Sequence, residues 1–253
     1  MTQPPHKTPE DTPDQPPETA SEAAPAPLGG PSARPLGELA SIAHPGDGAR
    51  LFAPSAARNL APICALLDRI APSRGRALEI ASGTGQHVAA FAARHPGLHW
   101  QPTDPDPGRR ASIDAHAADH AAATGRANIA PAQPLDAGVP GWAADWPDRD
   151  LIVVINLLHL IPEPAAETLL AEAARALAPG GRLLIYGPFR RAGVFTSPGD
   201  AEFHARLSAA DPAIGYKDDD AVIAWAGAAG LRLLDRVEMP ANNLALVAER
   251  PAG

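Results

Sequence analysis

The sequence predicts an α/β fold: a doubly wound, mostly parallel sheet of seven strands whose last strand runs antiparallel. Three observations carry this expectation. Strand-like and helix-like segments alternate from residue 50 to the C-terminus, the pattern of helices packed on a parallel sheet. Leu151-Ile-Val-Val-Ile155 is an unbroken apolar run, as a strand covered on both faces requires. The last two strands, Leu231–Met239 and Asn243–Glu249, are joined only by Pro240-Ala-Asn242. That link is too short for a parallel crossover, so the final strand must reverse.

The elements follow in order. Residues 1–45 carry eleven of the chain's 30 prolines and almost no aromatic side chain. Such a stretch buries too little apolar area to offset its ordering entropy, so it is expected to be a disordered acidic tail. A single folded domain is expected over residues 46–253, with regular structure starting near Arg50. Leu60, Ile63, Leu66, Leu67 and Ile70 have helical spacing, with Asn59 as N-cap and Pro62 in the first turn. A strand at Ala77–Ala81 leads through a glycine turn, Ser82–Gly85, into a helix over Gln86–Arg94. Strand Leu98–Thr103 and helix Gly108–Ala123 come next, then a weak strand near Asn128–Pro134. After the central strand, a helix over Ala165–Leu177 stops at Ala178-Pro-Gly-Gly181. Strand Arg182–Tyr186, helices near Gly199–Ala209 and Asp218–Ala229, and the two closing strands complete the chain.

Composition narrows the function. The net charge is −8, of which residues 1–49 hold −5, so the remainder is close to balanced. A domain without clustered lysine and arginine does not suit a nucleic-acid backbone. Cys64 is the single cysteine, which rules out an intrachain disulfide and a thiolate metal cluster. The histidines lack ligand spacing, so no metal site is expected. No basic-then-apolar leader and no membrane-length apolar run is present, which makes a cytoplasmic protein without membrane contact the expectation.

The chain is organised around Ala77-Leu-Glu-Ile-Ala-Ser-Gly-Thr-Gly-Gln-His87. Strand, glycine turn and helix in that order build a site for part of a nucleotide-like cofactor. The dinucleotide fingerprint requires a third glycine where Val88 stands, and the Walker A loop requires Gly-Lys-Ser/Thr where Gln86-His87 stands. A nicotinamide oxidoreductase is therefore the weakest of the rivals. What remains is an acid inside the strand, Glu79, with Ala81, Gly83 and Gly85 at alternate positions. Asp104 lies at the end of the following strand, Asp136 at the end of the third, and Ala178-Pro-Gly-Gly-Arg182 before the fifth.

This arrangement resembles the first motif and downstream landmarks of class I S-adenosylmethionine-dependent methyltransferases, with Ala81 at the place of the usual first glycine. Over most of residues 50–250 the resemblance is more specific. Ser55-Ala-Ala-Arg-Asn59, Leu78–His87, Trp100-Gln-Pro-Thr-Asp104, Ile155-Asn-Leu-Leu-His159, Tyr186-Gly-Pro-Phe189 and Met239-Pro-Ala-Asn-Asn-Leu244 are similar to segments of the methyltransferase-like 26 family. The resemblance implies the class I methyltransferase, Rossmann-like fold and S-adenosylmethionine as cofactor. The residues implied to hold it are Glu79, Ala81, Ser82, Gly83, Thr84, Gly85, Asp104, Asp136 and Asn156, with Asp104 on the ribose and Asp136 on the adenine amino group. It supplies no acceptor, which is expected to be a small molecule or a limited protein target. The alternative is a protein that binds the cofactor without turnover, as a scaffold or sensor.

Sites in open parallel sheets lie at the carboxyl ends of the strands. That edge carries the remaining candidates. His159 reads either as a general base, with an ordinary pKa near 6.5, or as a histidine packed under the cofactor or capping the next helix. Tyr186 either orients the acceptor or fills the strand end. Arg58, Asn59 and Arg190 are candidate acceptor contacts, as are Asn242 and Asn243, which a hairpin turn also needs. Asp/Asn-Pro-Pro-Tyr/Phe, the signature of amino-group methylation on bases and glutamine, is replaced by Asn156-Leu-Leu-His159.

Overall fold

In the computed structural model, which describes residues 1–2 and 43–252, folded structure begins with a short hairpin of β1 (His44–Pro45) and β2 (Leu51–Phe52). This is slightly ahead of the start expected at Arg50. The expected disorder of the tail falls almost wholly outside the described residues. The rest runs α1 (Pro54–Ile70), β3 (Gly75–Ile80), α2 (Gln86–Arg94), β4 (Leu98–Pro102), α3 (Pro107–Thr124), β5 (Arg149–Ile155), α4 (Glu163–Ala176), β6 (Leu177–Pro188), α5 (Pro198–Ala210), α6 (Asp219–Ala228), β7 (Arg232–Glu238) and β8 (Asn243–Glu249).

Apart from the β1–β2 hairpin, the strands form one sheet in the order β4-β3-β5-β6-β8-β7. The pairs β4–β3, β3–β5 and β5–β6 are parallel, and β8 is antiparallel to both neighbours. Only the last strand reverses, as its short link demands. Alternation along β5 divides the core into two layers. Ile152 and Val154 pack with Leu169, Leu170 and Ala173 of α4 on one face. Leu151 and Val153 pack with Ile63 and Leu67 of α1 and Phe91 of α2 on the other. All four strand residues are fully buried, which accounts for the run without a polar residue.

Three boundaries differ from the sequence expectation, each for a local reason. The weak third strand expected near Asn128–Pro134 is reduced to two isolated bridges beside β4, Trp100 with Ile129 and Thr103 with Gln133. Pro102 and Pro131 have no N–H to donate, so the ladder cannot run continuously between those bridges. Helix α1 starts at Pro54, not after Asn59. Proline suits a first helical position, and Gln86 Oε1 accepts the N–H of the preceding Ala53 at 2.6 Å. Asn59 is thereby carried into the helix and turned inward, and Pro62 sits in its interior. Finally, β6 leaves α4 without an intervening turn. Leu177 already pairs with Arg149, and Ala178–Gly181 forms an irregular stretch of the strand before regular pairing resumes at Arg182. A Cβ on Gly181 would lie 2.6 Å from the Arg149 carbonyl oxygen, so glycine is what lets this stretch follow β5.

Candidate functional site

The chain passes from β3 outward to β4, then returns across β3 to β5. Loops leaving β3 and β5 part in opposite directions, and a crevice opens between them at the carboxyl edge. Ala81, just past β3, and Asn156, just past β5, are both left-handed at φ 55°. Non-glycine residues adopt this conformation at a cost of about 1–2 kcal/mol. Both lie at the carboxyl ends of adjacent strands, where the chain leaves the sheet on either side of the crevice.

The glycine turn is held by its own hydrogen bonds. Ser82 N–H donates to Thr103 O at 2.8 Å, and Ser112 Oγ of α3 donates to Thr84 O at 2.7 Å. Gly83 N–H donates to Asp104 Oδ2 at 3.0 Å. Asp104 Oδ1 accepts from Asp106 N–H, also at 3.0 Å. Asp104 is buried, and loss of hydration raises its carboxyl above the ordinary range. The two glycines do different things. A Cβ on Gly85 (φ 90°) would stand 2.7 Å from Ile113 Cα, so this glycine lets α3 pack against the turn. A Cβ on Gly83 would meet the Arg109 guanidinium at 3.4 Å and the Ala81 carbonyl oxygen at 3.9 Å, both ordinary contact distances, so this one leaves the crevice side open.

Glu79 is 2% exposed. Burial pushes its carboxyl up to about 8, and the neighbouring Asp104 charge adds to the rise. Its Oε2 is buried without a hydrogen-bond partner. An orphaned carboxyl oxygen at a crevice is costly unless a donor arrives there. Asp136 lies outside this cluster. It is exposed and accepts from Gly138 N–H at 3.0 Å within its own turn.

The other candidates divide into three groups. His159 is buried in an aromatic cluster, its ring centroid 5.9 Å from Phe203 and 6.2 Å from Tyr216. Burial and the Lys217 charge push its pKa down to about 3. A ring so reluctant to take a proton is a poor general base at neutral pH; the packed reading fits its surroundings. Asn59, expected as a helix cap, instead links His87 and Tyr186. His87 Nε2 lies 2.8 Å from Asn59 Oδ1, and Asn59 also hydrogen-bonds Tyr186. Burial pushes His87 down to about 4 and raises the Tyr186 hydroxyl. Asn243 Nδ2 donates to Pro240 O and Ala241 O, a turn contact, while Asn242 Nδ2 reaches Asp200 Oδ2 of α5 at 3.0 Å. Arg58 is exposed on α1. Arg190 lies just beyond β6, two strands over from β3 and its glycine turn.

Sequence reasoning missed Arg109, whose guanidinium stands over Gly83 and whose charge lowers the Asp104 carboxyl. A signal was present. Asp106-Pro107 reads as an N-cap with proline at N1, and the Asp106 side chain does accept from Arg109 N–H at 2.7 Å. That cap fixes Arg109 in the first turn of α3, at the carboxyl edge of the sheet.

A family model described as "Protein of unknown function (DUF938)" matches residues 50–250. The chain belongs to that family. Solved structures place this DUF938 member in the class I methyltransferase fold. An O-methyltransferase family protein from Burkholderia thailandensis superposes with a TM-score of 0.66 at 19% identity, over 79% of this chain and 58% of that one. An O-methyltransferase family 2 protein from Planctomyces limnophilus, in complex with apigenin, gives 0.61 at 22% identity, over 78% and 58%. Human N-acetylserotonin methyltransferase in complex with S-adenosylmethionine gives 0.61 at 16%, over 78% and 53%. The DUF938 chain thus spans little more than half the length of these structures. Among its described residues no helix is long and apolar enough to cross a membrane.

Proposed function

We propose that this protein is an S-adenosylmethionine-dependent methyltransferase of the methyltransferase-like 26 kind, acting on a small molecule or a limited protein target. The observation that carries the reading is Glu79, a buried carboxyl with an unpartnered oxygen, set beside Asp104 and the open Gly83 at the switch point of the sheet. An acid at the end of β4 suits paired ribose hydroxyls, and Glu79 offers an acceptor to a further N–H or O–H donor. Arg109 and Asn156 flank the same opening. Asp136, exposed and bonded within its own turn, would reach an exocyclic amine only through rotation of its side chain. Residues 46–253 act as one domain in this reading, with residues 1–45 as a tail, and the near-balanced charge of the domain disfavours a nucleic-acid acceptor.

The bound sulfonium would supply an activated methyl group for in-line displacement. The chain's own part is alignment, which contributes roughly 7–11 kcal/mol when reacting groups are held in register. His159, with its pKa pushed down to about 3, is too weak a base to take the acceptor's proton, and none is required where the nucleophile arrives already deprotonated. The test is calorimetry with S-adenosylhomocysteine on wild type and Asp104→Ala. Saturable binding to wild type that weakens at least tenfold in the variant is expected; no heat from wild type overturns the reading.

A further inference from the structure

A cavity of about 420 Å³ lies on the same sheet edge, walled by the start of α4, by α5 and by the segment leading into α6. None of the glycine-turn residues lines it. The Gly215 N–H donates to His159 O at 3.0 Å, which ties the cavity wall to the end of β5. Arg190, just past β6, forms another wall. Strands are spaced about 4.8 Å apart, so β6 lies roughly 10 Å from β3. One small molecule can span that distance.

The cavity holds positive charge that the protein answers only in part. The Arg190 backbone is fixed, its N–H donating to Lys217 O at 2.9 Å and its carbonyl accepting from Asp219 N–H at 3.1 Å. Its guanidinium has no hydrogen-bond or ion-pair partner among the described residues, and its Nε is buried without an acceptor. Lys217 is 2% exposed. Its Nζ donates to Ile161 O at 2.8 Å and Gly215 O at 3.0 Å, leaving one N–H, and no carboxylate is paired with it. His204 Nδ1 accepts from Tyr216 N–H at 3.0 Å, so a neutral ring carries its proton on Nε2 and is one more donor. Glu163 is the one acid in the lining. It is exposed, in the first turn of α4, where an acid already complements the helix dipole. Lys217 is buried and Arg190 half-buried beside it, and Glu163, whose charge acts on Lys217, forms no ion pair with either. Neighbouring cations answered so incompletely are unfavourable, and an anion between them relieves the cost.

We propose that this cavity binds the carboxylate or phosphate end of an anionic small molecule, held by Arg190 and Lys217, and that this molecule is the methyl acceptor. The second clause rests on the methyl-transfer reading; anion binding does not. Glu163 at the rim then favours a ligand with a hydroxyl or amine beyond its anionic end.

The experiment titrates the full chain with inorganic phosphate and, separately, malate at constant ionic strength, following thermal shift and backbone amide resonances. Wild type, Arg190→Gln and Arg74→Gln are compared, Arg74 being exposed and remote from the cavity. Saturable binding of either anion to wild type, weakened at least tenfold by Arg190→Gln and unchanged by Arg74→Gln, supports the proposal. The anion that binds tells phosphate from carboxylate. No saturable binding to wild type, or equal binding in both variants, overturns it. S-adenosylhomocysteine is titrated in parallel. Cofactor binding retained while anion binding is absent overturns the cavity alone. Anion binding retained while cofactor binding is absent overturns the acceptor assignment and the methyltransferase reading, but not the anion site.

Discussion

Gly83 donates its backbone N–H to Asp104 Oδ2 at 3.0 Å, so the turn after β3 and the acid at the end of β4 hold each other in place. The other carboxyl oxygen takes Asp106 N–H, which ties the same acid to the cap of α3. Asp104→Asn keeps one acceptor oxygen and sets an amide N–H against a backbone N–H. A buried donor left unmatched costs about 1–3 kcal/mol. The expected outcome is a stability loss of that size in urea denaturation, together with weaker S-adenosylhomocysteine binding. Unchanged stability would mean that the turn does not depend on this bond.

The two glycines of the turn separate folding from binding. Gly85→Ala drives a Cβ into the Ile113 backbone at 2.7 Å with φ at 90°, and backbone cannot step aside as a side chain can. We expect a loss above about 2 kcal/mol. Gly83→Ala meets the Arg109 guanidinium and the Ala81 carbonyl oxygen only at ordinary contact distance, so its cost is the left-handed conformation, about 1 kcal/mol, while the added methyl narrows the crevice. Denaturation and S-adenosylhomocysteine titration of both variants should therefore rank in opposite orders. The same ranking in both assays contradicts the division of labour.

Glu79 makes stability depend on pH with a definite sign. Its folded pKa, about 8, stands above its ordinary 4.5, so between those values the folded state keeps a proton that the unfolded state releases. Its contribution is fully present below about pH 4.5 and is lost as pH rises through 8. Glu79→Gln keeps a neutral side chain of the same shape and removes this dependence. The Tm of Glu79→Gln relative to wild type should therefore climb steadily from pH 5 to pH 8.5. A flat difference across that range would show that Glu79 is ionised in the free protein.

The sequence was most informative where one residue type served one purpose. The apolar run of β5 could only be a doubly covered strand, and Pro240-Ala-Asn242 could only be a tight reversal. Asp104 was legible because strand end and spacing locate it without knowledge of packing. Asn59 was not, because a polar residue ahead of an apolar helical stripe looks like a cap. Its true place depends on Gln86 anchoring Ala53 from 33 positions away. The weak third strand failed through Pro102 and Pro131, whose missing donors act across a pairing rather than within a segment. Arg190 and Lys217 share the cavity only because Arg190 pairs with the segment entering α6, a long-range register that no local pattern records.

His159 offers the sharpest choice between a chemical and a packing role. Its ring stays neutral down to about pH 3 because it is buried and Lys217 is near. The unfolded chain takes up a proton near pH 6.5 that the folded chain refuses. Stability is therefore lost as pH falls from 6.5 toward 3, at up to about 1.4 kcal/mol per pH unit from this one group. His87, pushed down to about 4, adds a similar loss over a narrower window. His159→Phe removes only the first contribution and places another ring against Phe203 and Tyr216. The expected result is a variant that gains on wild type as pH drops from 7 to 4, keeps the His87 part of the slope, and binds S-adenosylhomocysteine with unchanged affinity. A pH profile parallel to wild type would show that His159 already takes its proton at the ordinary pKa, and would restore it as a candidate base.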